Sequence, residues 1–312
     1  MLKKMLILSL LTLIMVAVFM FANSNNLDAY ALKNRSLQIV AIIIVAICIG
    51  VSTLIFQTLC NNKILTPAII GLDSLYMLLQ SALIFSLGSA NLSVYKNDVN
   101  FLISLLCMII FSLGLYKILF SSDRSIYLIM LLGLVFGTLF GTLSSFFEVL
   151  IDPDEFMVIQ GRMFASFDNI AFDVLSLAFV FTLLTLLYTL KYVKFLDPLN
   201  LGKDLAINLG INYQKISKQL MIIIAILTAI STALVGPITF LGLLVVNITY
   251  ELFKTAKHSI LLCACVLISI LALVSGVFFV SRVFAYNTTI SVIINFLGGI
   301  YFIYLVLRGN KL

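Results

Sequence analysis

The sequence has little charge, a single histidine and no tryptophan. Charged residues make up 10% of its 312 residues and hydrophobic ones 62%, which leaves too little polar surface for a water-soluble fold of this size. The single histidine, His258, excludes a histidine cluster as a metal or haem ligand set. No G-x-x-x-x-G-K-[ST] loop occurs, so we expect any nucleotide hydrolysis to come from another chain.

The cysteines exclude further kinds of site. All of them lie in or beside apolar runs and none forms a C-x-x-C pair: Cys48, Cys60, Cys107, Cys263 and Cys265. We therefore expect small core residues rather than disulfides or a metal site.

Long apolar runs dominate the sequence, and most are near the 20 residues that a helix needs to cross a bilayer. The strands of a membrane β-barrel would instead be short and alternating. We therefore predict an all-α, polytopic membrane protein with about ten transmembrane helices in one domain, residues 1–312. The predicted spans are 5–22, 37–59, 67–87, 99–120, 125–148, 171–190, 219–235, 238–252, 259–280 and 289–307. The eighth is short, and for the first we favour a spanning helix over a signal peptide because its apolar run exceeds an ordinary h-region.

The basic residues predict how these spans are oriented. With ten spans and a cytoplasmic N-terminus, 14 of the 19 lysines and arginines fall on the cytoplasmic side and 5 outside, as the positive-inside rule requires. Both termini are then cytoplasmic in a multi-pass protein of the cell membrane. The net charge of +6 reflects this topology, and we do not expect a nucleic-acid partner.

Residues 191–218 form the one sizeable polar segment between long apolar runs that also carries helix punctuation. An Asp-Pro pair starting at Asp197 predicts a turn, Asn200 an N-cap and Gly210 a helix stop. We therefore predict a helix of about two turns over residues 201–209. The orientation above places this loop in the cytoplasm.

Leu201, Leu205 and Leu209 recur at i, i+4 and i+8 of this predicted helix and form one apolar stripe, with Lys203 and Asp204 beside it. A helix this short is marginal in water and needs a surface to pack against. That surface is either the lipid headgroups or a soluble partner that docks on the loop.

The motif L-G-K-D-L-A-I-N-L-G-I-N resembles the coupling loop L-G-x-E-x-A-x-x-L-G-[VI] in the permease subunits of iron-siderophore and cobalamin ABC importers. In that family the loop fits a cleft on the ATPase subunit and transmits its closure. The resemblance implies that the following residues couple this chain to an ATPase: Leu201, Gly202, Lys203, Asp204, Leu205, Ala206, Leu209 and Gly210.

Two further stretches resemble the same family. From Gln57 the chain reads Q-T-L-C-N-N-K-I-L-T-P-A-I-I-G-L-D-S-L, similar to Q-x-L-x-x-N-P-L-A-x-P-x-x-L-G-I-S-S-G, with Lys63 replacing a proline and Asp73 a serine. V-G-P-I-T-F-L-G-L-L-V-V-N-I is similar to G-P-I-x-F-V-G-L-x-V-P-H-I, with Val246 and Asn247 replacing Pro-His. The resemblance implies a translocation pathway at the following residues: Gln57, Asn62, Pro67, Asp73, Gly236, Pro237, Phe240 and Gly242.

Both stretches also predict interrupted helices. Proline is tolerated in a first helical turn, so we expect a helix to begin at Pro67, and Gly236-Pro237 predicts a break that protein or a water-filled cavity must cover. Asp73 lies about a turn and a half into the first helix, where a charge needs a partner or water. It either faces the pathway or caps the helix near the cytoplasmic interface, and we favour the cap.

Residues 32–41, L-K-N-R-S-L-Q-I-V-A, resemble the family's R-x-P-R, whose arginines face acidic residues of the external binding protein. Arg35 matches the first arginine, while Gln38 replaces the second. We therefore expect docking through three arginines at separate corners of the outer face: Arg35, Arg162 and Arg282. The alternative for Arg35 is a lipid anchor at the headgroups.

The acidic loop after the fifth span predicts a short external helix from about Pro153. Its sequence Q-G-R-M-F-A-S-F resembles the ferric catecholate branch of the family, in which a helix in this loop helps gate the outer mouth. A solvated loop with no special role is the alternative. On the fifth span itself, Gly133, Gly137 and Gly141 recur at a spacing that lets helices approach closely, so we expect packing there.

Together the motifs imply a permease subunit with the type II ABC importer fold, moving a ferric siderophore of catecholate type. It would form a homo- or heterodimer with a second permease subunit and work with two ATPase subunits and an extracytoplasmic siderophore-binding protein, surrounded by membrane lipid. It would be no enzyme and hold no cofactor or metal, since its partners hydrolyse the ATP. The alternatives are a cobalamin or haem importer permease and an ion-coupled secondary transporter, for which Asp73 is the one candidate intramembrane carboxylate.

Overall fold

The computed structural model describes residues 1–21, 29–88, 97–120, 126–168, 170–284 and 287–309. All regular structure in these ranges is helical, which confirms the predicted class. In chain order the α-helices are α1 (Leu2–Phe21), α2 (Ala29–Cys60), α3 (Leu72–Leu87), α4 (Asn97–Phe120), α5 (Ile126–Leu150), α6 (Pro153–Met163), α7 (Phe172–Leu199), α8 (Lys203–Asn208), α9 (Tyr213–Val235), α10 (Leu241–Leu252), α11 (His258–Arg282) and α12 (Ile290–Gly309). A 3-10 helix, Pro67–Ile70, precedes α3.

Six of these helices are long and apolar enough to cross a membrane: α1, α2, α5, α7, α9 and α11. Four further helices contain shorter apolar stretches: Leu72–Leu87 in α3, Asp98–Gly114 in α4, Leu241–Leu252 in α10 and Ile290–Leu305 in α12. Helix α10 is the short eighth span of the prediction. Predicted and observed ends differ most at α2, which begins at Ala29, and at α7, which continues to Leu199. Hydropathy detects the apolar part of a span, whereas the helix continues through polar residues beyond it.

Helix α2 is the centre of the bundle and packs against α7, α9, α10 and α11. Its side chains Ile42, Val45, Leu54 and Ile55 are completely buried, so most of its apolar surface faces protein. Helix α1 packs against α11 and α2, and it buries Phe19. This packing is that of a helix belonging to the bundle, in agreement with the predicted first span.

The predicted close packing of the α5 glycines is confirmed at two of the three positions. A Cβ on Gly133 would lie 2.9 Å from the Ile69 carbonyl oxygen of the 3-10 helix. A Cβ on Gly71 would lie 2.7 Å from the Gly137 Cα, and Gly71 has φ +85°, a conformation that favours glycine. A Cβ on Gly141 would meet no atom within 4 Å, so no neighbouring element of this chain requires a glycine there.

The bundle has two ends, named here after the short helices that mark them. At the α8 end, the Lys4 amine donates a hydrogen bond to the Leu252 carbonyl oxygen (2.9 Å), so α1 begins where α10 finishes. At the α6 end, the Arg35 guanidinium donates to the Met20 carbonyl oxygen (2.6 Å). A straight α2 covers about 35 Å between Arg35 and Thr58, which is enough to separate the two ends by a bilayer core.

Candidate functional site

The loop that the sequence analysis assigns to ATPase coupling begins later in the chain than predicted. Helix α7 continues through Pro198 to Leu199, and Asn200 caps the end of α7 with its N–H on the Leu196 carbonyl oxygen. The predictions of a turn at the Asp-Pro pair and of an N-cap at Asn200 are therefore wrong. Leu196 and Leu199 are both buried, and this packing keeps the last turn helical despite the proline. Helix α8 begins only at Lys203, and Gly202 with φ +100° occupies its N-cap position.

The end of α8 confirms the predicted stop at Gly210. Gly210 has φ +81°, and its N–H bonds to the Ile207 carbonyl oxygen at 2.8 Å. The N–H of Ile211 reaches back to the Ala206 carbonyl oxygen at 3.1 Å. These two bonds form a Schellman motif, which requires a left-handed residue at the position that Gly210 occupies.

The apolar stripe of the coupling loop faces away from the bundle. Leu201, Leu205 and Leu209 are 56%, 53% and 61% exposed. Ala206, on the opposite side of α8, is completely buried and holds the helix against the end of the bundle. We call the three exposed leucines the α8 ridge. An apolar surface presented on an otherwise polar loop is the kind of surface that a partner covers.

The two interrupted helices of the predicted pathway meet at one small cavity. Asp73, in the first turn of α3, accepts a hydrogen bond from the Thr239 hydroxyl at 3.1 Å. Thr239 follows the break at Gly236-Pro237, where Gly236 has φ +99°. The cavity, of about 30 Å³, is lined by the following hydroxyl side chains: Ser52, Thr53, Thr66, Thr228, Ser231, Thr232 and Thr239. The cavity has room for a water molecule. The bond to Thr239 favours the alternative in which Asp73 faces the predicted pathway over the one in which it caps the helix.

Two residues that replace those of the family pattern, Lys63 and Asn247, lie close together near the predicted pathway. The side-chain amide of Asn247 donates to the Lys63 carbonyl oxygen at 3.0 Å, and the Lys63 amine lies 5.0 Å from the ring centre of Tyr250. The replacements at 63 and 247 therefore contact each other. The Asn62 side chain accepts a backbone N–H two residues along at 3.0 Å. Within the part of the chain described, the Gln57 amide is buried without a hydrogen-bond partner.

Two glycines let α10 and α12 approach their neighbours closely. A Cβ on Gly242 would overlap the Thr53 hydroxyl and lie 2.9 Å from Thr53 Cβ. A Cβ on Gly298 would overlap the Phe240 Cβ and lie 3.0 Å from its ring. The segment 240–242 is thus packed between α2 on one side and α12 on the other.

At the α6 end, Arg162 points into the bundle. The Arg162 guanidinium donates to the Gln80 side-chain oxygen, and the Gln80 amide donates to the Ser104 hydroxyl at 2.9 Å. These groups line a cavity of about 180 Å³, together with Tyr76 and Asn100. Sequence reasoning missed Gln80, Asn100 and Ser104, although polar side chains at helical spacing within apolar spans were a signal that could have found them.

Arg35 and Arg282 line a second, larger cavity of about 460 Å³. Gln38, which replaces the family's second arginine, donates its side-chain amide to Asp168 at 2.8 Å. Burial raises the pKa of the Asp168 carboxyl, against the hydrogen bonds from Ser166 and Gln38 that lower it. The expectation of three arginines at separate corners is therefore wrong, because two of them share one cavity. Their part in docking stays a prediction.

Comparison with known proteins places this fold among the ABC transporter permeases. The structure is similar to that of a metal-chelate type ABC transporter in an inward-facing conformation, with a TM-score of 0.83 and 21% sequence identity, covering 98% of this chain and 99% of the other. Residues 5–308 match the FecCD transport family. The chain belongs to this family, which confirms the resemblance found in the motifs. The family is one of transport permeases.

Curated relatives are similar over most of their length. The petrobactin import system permease protein YclO of Bacillus subtilis is 54% identical over 302 residues, covering 96% of each chain. The petrobactin import system permease protein FatC of Bacillus anthracis is 35% identical over 281 residues, which cover 90% of this chain and 79% of the FatC chain.

Proposed function

We propose that this chain is a permease subunit of an ATP-driven importer that carries a ferric siderophore, of catecholate type, across the cell membrane. The α8 ridge carries the proposal, because three leucines held outward at one end of a membrane bundle fit a docking surface for a soluble partner. The cargo is inferred from the relatives, two of which are permeases of petrobactin import systems, petrobactin being a catecholate-type siderophore.

The α8 end is proposed to face the cytoplasm, together with both termini. Two ATPase subunits would bind there, hydrolyse the ATP and move α8 as they close. A second permease subunit, identical or homologous, would complete a central pathway. The distribution of basic residues supports this orientation, and the contact between Lys4 and Leu252 is consistent with an N-terminus at the α8 end.

The α6 end is proposed to receive the siderophore-binding protein. Arg162, extended from α6 into the bundle and hydrogen-bonded to Gln80, would hold the outer mouth closed until the binding protein docks. Arg35 and Arg282 would meet acidic groups of that protein at the larger cavity, where charges steer association more than they hold a complex. Opening the mouth would then require the contact between α6 and α3 to break.

This chain is proposed to hold no metal or cofactor of its own and to catalyse no reaction. Within the described residues no three His, Cys, Asp or Glu side chains are grouped so that they could hold a metal ion. We therefore expect the iron to cross inside its chelate, with ligand exchange left to other proteins.

Reconstitution tests the proposed function. We expect proteoliposomes containing this chain, its partner permease and the ATPase subunits to accumulate ⁵⁵Fe-petrobactin when ATP and loaded binding protein are supplied. An ATPase subunit without its catalytic carboxylate is the control and should reduce uptake to background. Uptake of cobalamin or haem in place of the siderophore, or uptake driven by a sodium or proton gradient without ATP, would contradict the proposal.

A further inference from the structure

The only histidine of the sequence joins three helices at the α8 end. His258, the first residue of α11, is completely buried. Its ring Nδ1 lies 2.7 Å from an Asp197 carboxylate oxygen, which also accepts the His258 backbone N–H at 2.8 Å. The other ring nitrogen, Nε2, lies 2.9 Å from the Thr58 hydroxyl oxygen. One imidazole therefore connects the last turns of α2 and α7 to the first turn of α11.

The partners of the two ring nitrogens determine which nitrogen carries the hydrogen. A carboxylate oxygen only accepts hydrogen bonds, so Nδ1 carries a hydrogen and donates it to Asp197. In a neutral imidazole Nε2 is then an acceptor. The Thr58 hydroxyl also lies 2.8 Å from the Leu54 carbonyl oxygen, so its one hydrogen is shared between these two acceptors. Removing the imidazole would leave Thr58 buried with one partner fewer and Asp197 without its buried donor.

Both partners of His258 lie in the last turns of helices whose ends meet the turn before α8. Asp197 is in the last turn of α7, and the turn from there to α8 is hydrogen-bonded, with Leu201 N–H on the Pro198 oxygen (3.1 Å) and Gly202 N–H on the Leu199 oxygen (3.0 Å). The end of α2 reaches the same turn, since the Asn61 amide lies 3.8 Å from where a Gly202 Cβ would be. The height and direction of α8 thus depend on where α7 ends relative to α2.

We propose that His258 is the positioning residue of the coupling helix. Its bond to Asp197 fixes the junction between α7 and α8, so that the α8 ridge is presented at one height and orientation. Its bond to Thr58 connects this junction to α2, the central helix, and gives a motion of α8 a direct route into the core of the bundle. The inference rests on the proposed role of α8 in ATPase docking.

Two substitutions separate the bonds of His258. The side-chain nitrogen of asparagine occupies nearly the place of Nδ1, so His258→Asn keeps the bond to Asp197. The nitrogen of glutamine occupies nearly the place of Nε2, so His258→Gln keeps the bond to Thr58. Each variant removes one of the two side-chain bonds of His258 and leaves its former partner with the other contacts that it makes, so we expect both to lower the thermal unfolding midpoint of the permease by similar amounts.

The test is the affinity of the ATPase subunit for the permease in nanodiscs. We expect His258→Asn to bind within about twofold of wild type and His258→Gln about tenfold more weakly, since a lost hydrogen bond to a charged group has roughly this effect. Asp197→Ala, which removes the acceptor oxygen at a half-exposed side chain and does not threaten folding, should weaken binding like His258→Gln. The double variant should be no weaker than either single one.

Controls distinguish failure of this inference from failure of the proposed function. Thr182→Val, a buried threonine of α7 that contacts Cys48 far from α8, should leave the affinity unchanged. Equal losses in His258→Asn and His258→Gln, or no loss in His258→Gln and Asp197→Ala, would overturn the positioning role alone. A Leu205→Asp variant that binds the ATPase like wild type would overturn the docking role of α8 as well.

Discussion

Leu205→Asp is expected to abolish the stimulation of ATPase activity by loaded binding protein, while the permease still folds and inserts into the membrane. Leu205 is 53% exposed in the middle of the α8 ridge, so the substitution removes little burial within this chain. In the docked complex the new carboxylate would be buried without a partner. An uncompensated buried charge of this kind costs about 3–5 kcal/mol. That is a loss of more than about 100-fold in affinity, enough to uncouple the transporter.

A matched control is available at the same end of the bundle. Leu252, at the end of α10, is 45% exposed and lies outside the coupling helix. Leu252→Asp should retain most of the stimulated ATPase activity, measured in proteoliposomes at equal permease content. Stimulation at the wild-type level in Leu205→Asp would mean that the α8 ridge lies on lipid headgroups and that another surface couples the ATPase.

Gly242→Ala is expected to destabilise the packing of α10 against α2. Its added methyl group would overlap the Thr53 hydroxyl and press on Thr53 Cβ, an atom near the α2 backbone that cannot move aside cheaply. Overpacking of this kind costs about 1–3 kcal/mol. The thermal unfolding midpoint of the purified permease should fall by several degrees as a result.

Two further variants isolate the cause. Gly299→Ala adds a methyl group where nothing lies within 4 Å, so it should leave the midpoint unchanged. Thr53→Ala removes the overlapping hydroxyl and one methyl group, so the Gly242→Ala/Thr53→Ala double variant should recover a large part of the loss. Strictly additive losses in the double variant would show that α10 does not press on α2 at this point.

Features with a local cause could be predicted from the sequence. The ten apolar segments follow from composition, and the helix stop at Gly210 follows from the left-handed conformation that glycine adopts freely. The α8 ridge follows from the spacing of three leucines. The packing of Gly133 and Gly137 likewise needs only their spacing and the small size of glycine.

The errors arose where packing decided the local structure. Asn200 and the Asp-Pro pair have the sequence properties of a helix start and a turn, yet the burial of Leu196 and Leu199 keeps α7 helical through them. Local signals of this kind are weak compared with tertiary packing. The observed start of α8 at Lys203, with Gly202 as its N-cap, could be recognised only once the end of α7 was known.

The contacts that define the sites join residues far apart in the chain. Arg162 meets Gln80 across 82 residues, Thr239 meets Asp73 across 166, and His258 meets Asp197 across 61. One sequence gives no sign of such pairs, because nothing in the sequence around either partner identifies the other. The sequence identified Asp73 as costly in a membrane, but only the fold shows which hydroxyl groups surround it.

The sidedness of the two ends tests the central claim most directly, because an importer of this design must present α8 to the cytoplasm and α6 to the outside. Single cysteines at Asn200 and Asp154, both exposed, would be introduced after the five native cysteines are replaced and treated with a membrane-impermeant maleimide. We predict that Asp154→Cys is labelled in intact cells and Asn200→Cys only after permeabilisation. Labelling of both from the same side would contradict the topology and the transport function inferred from it.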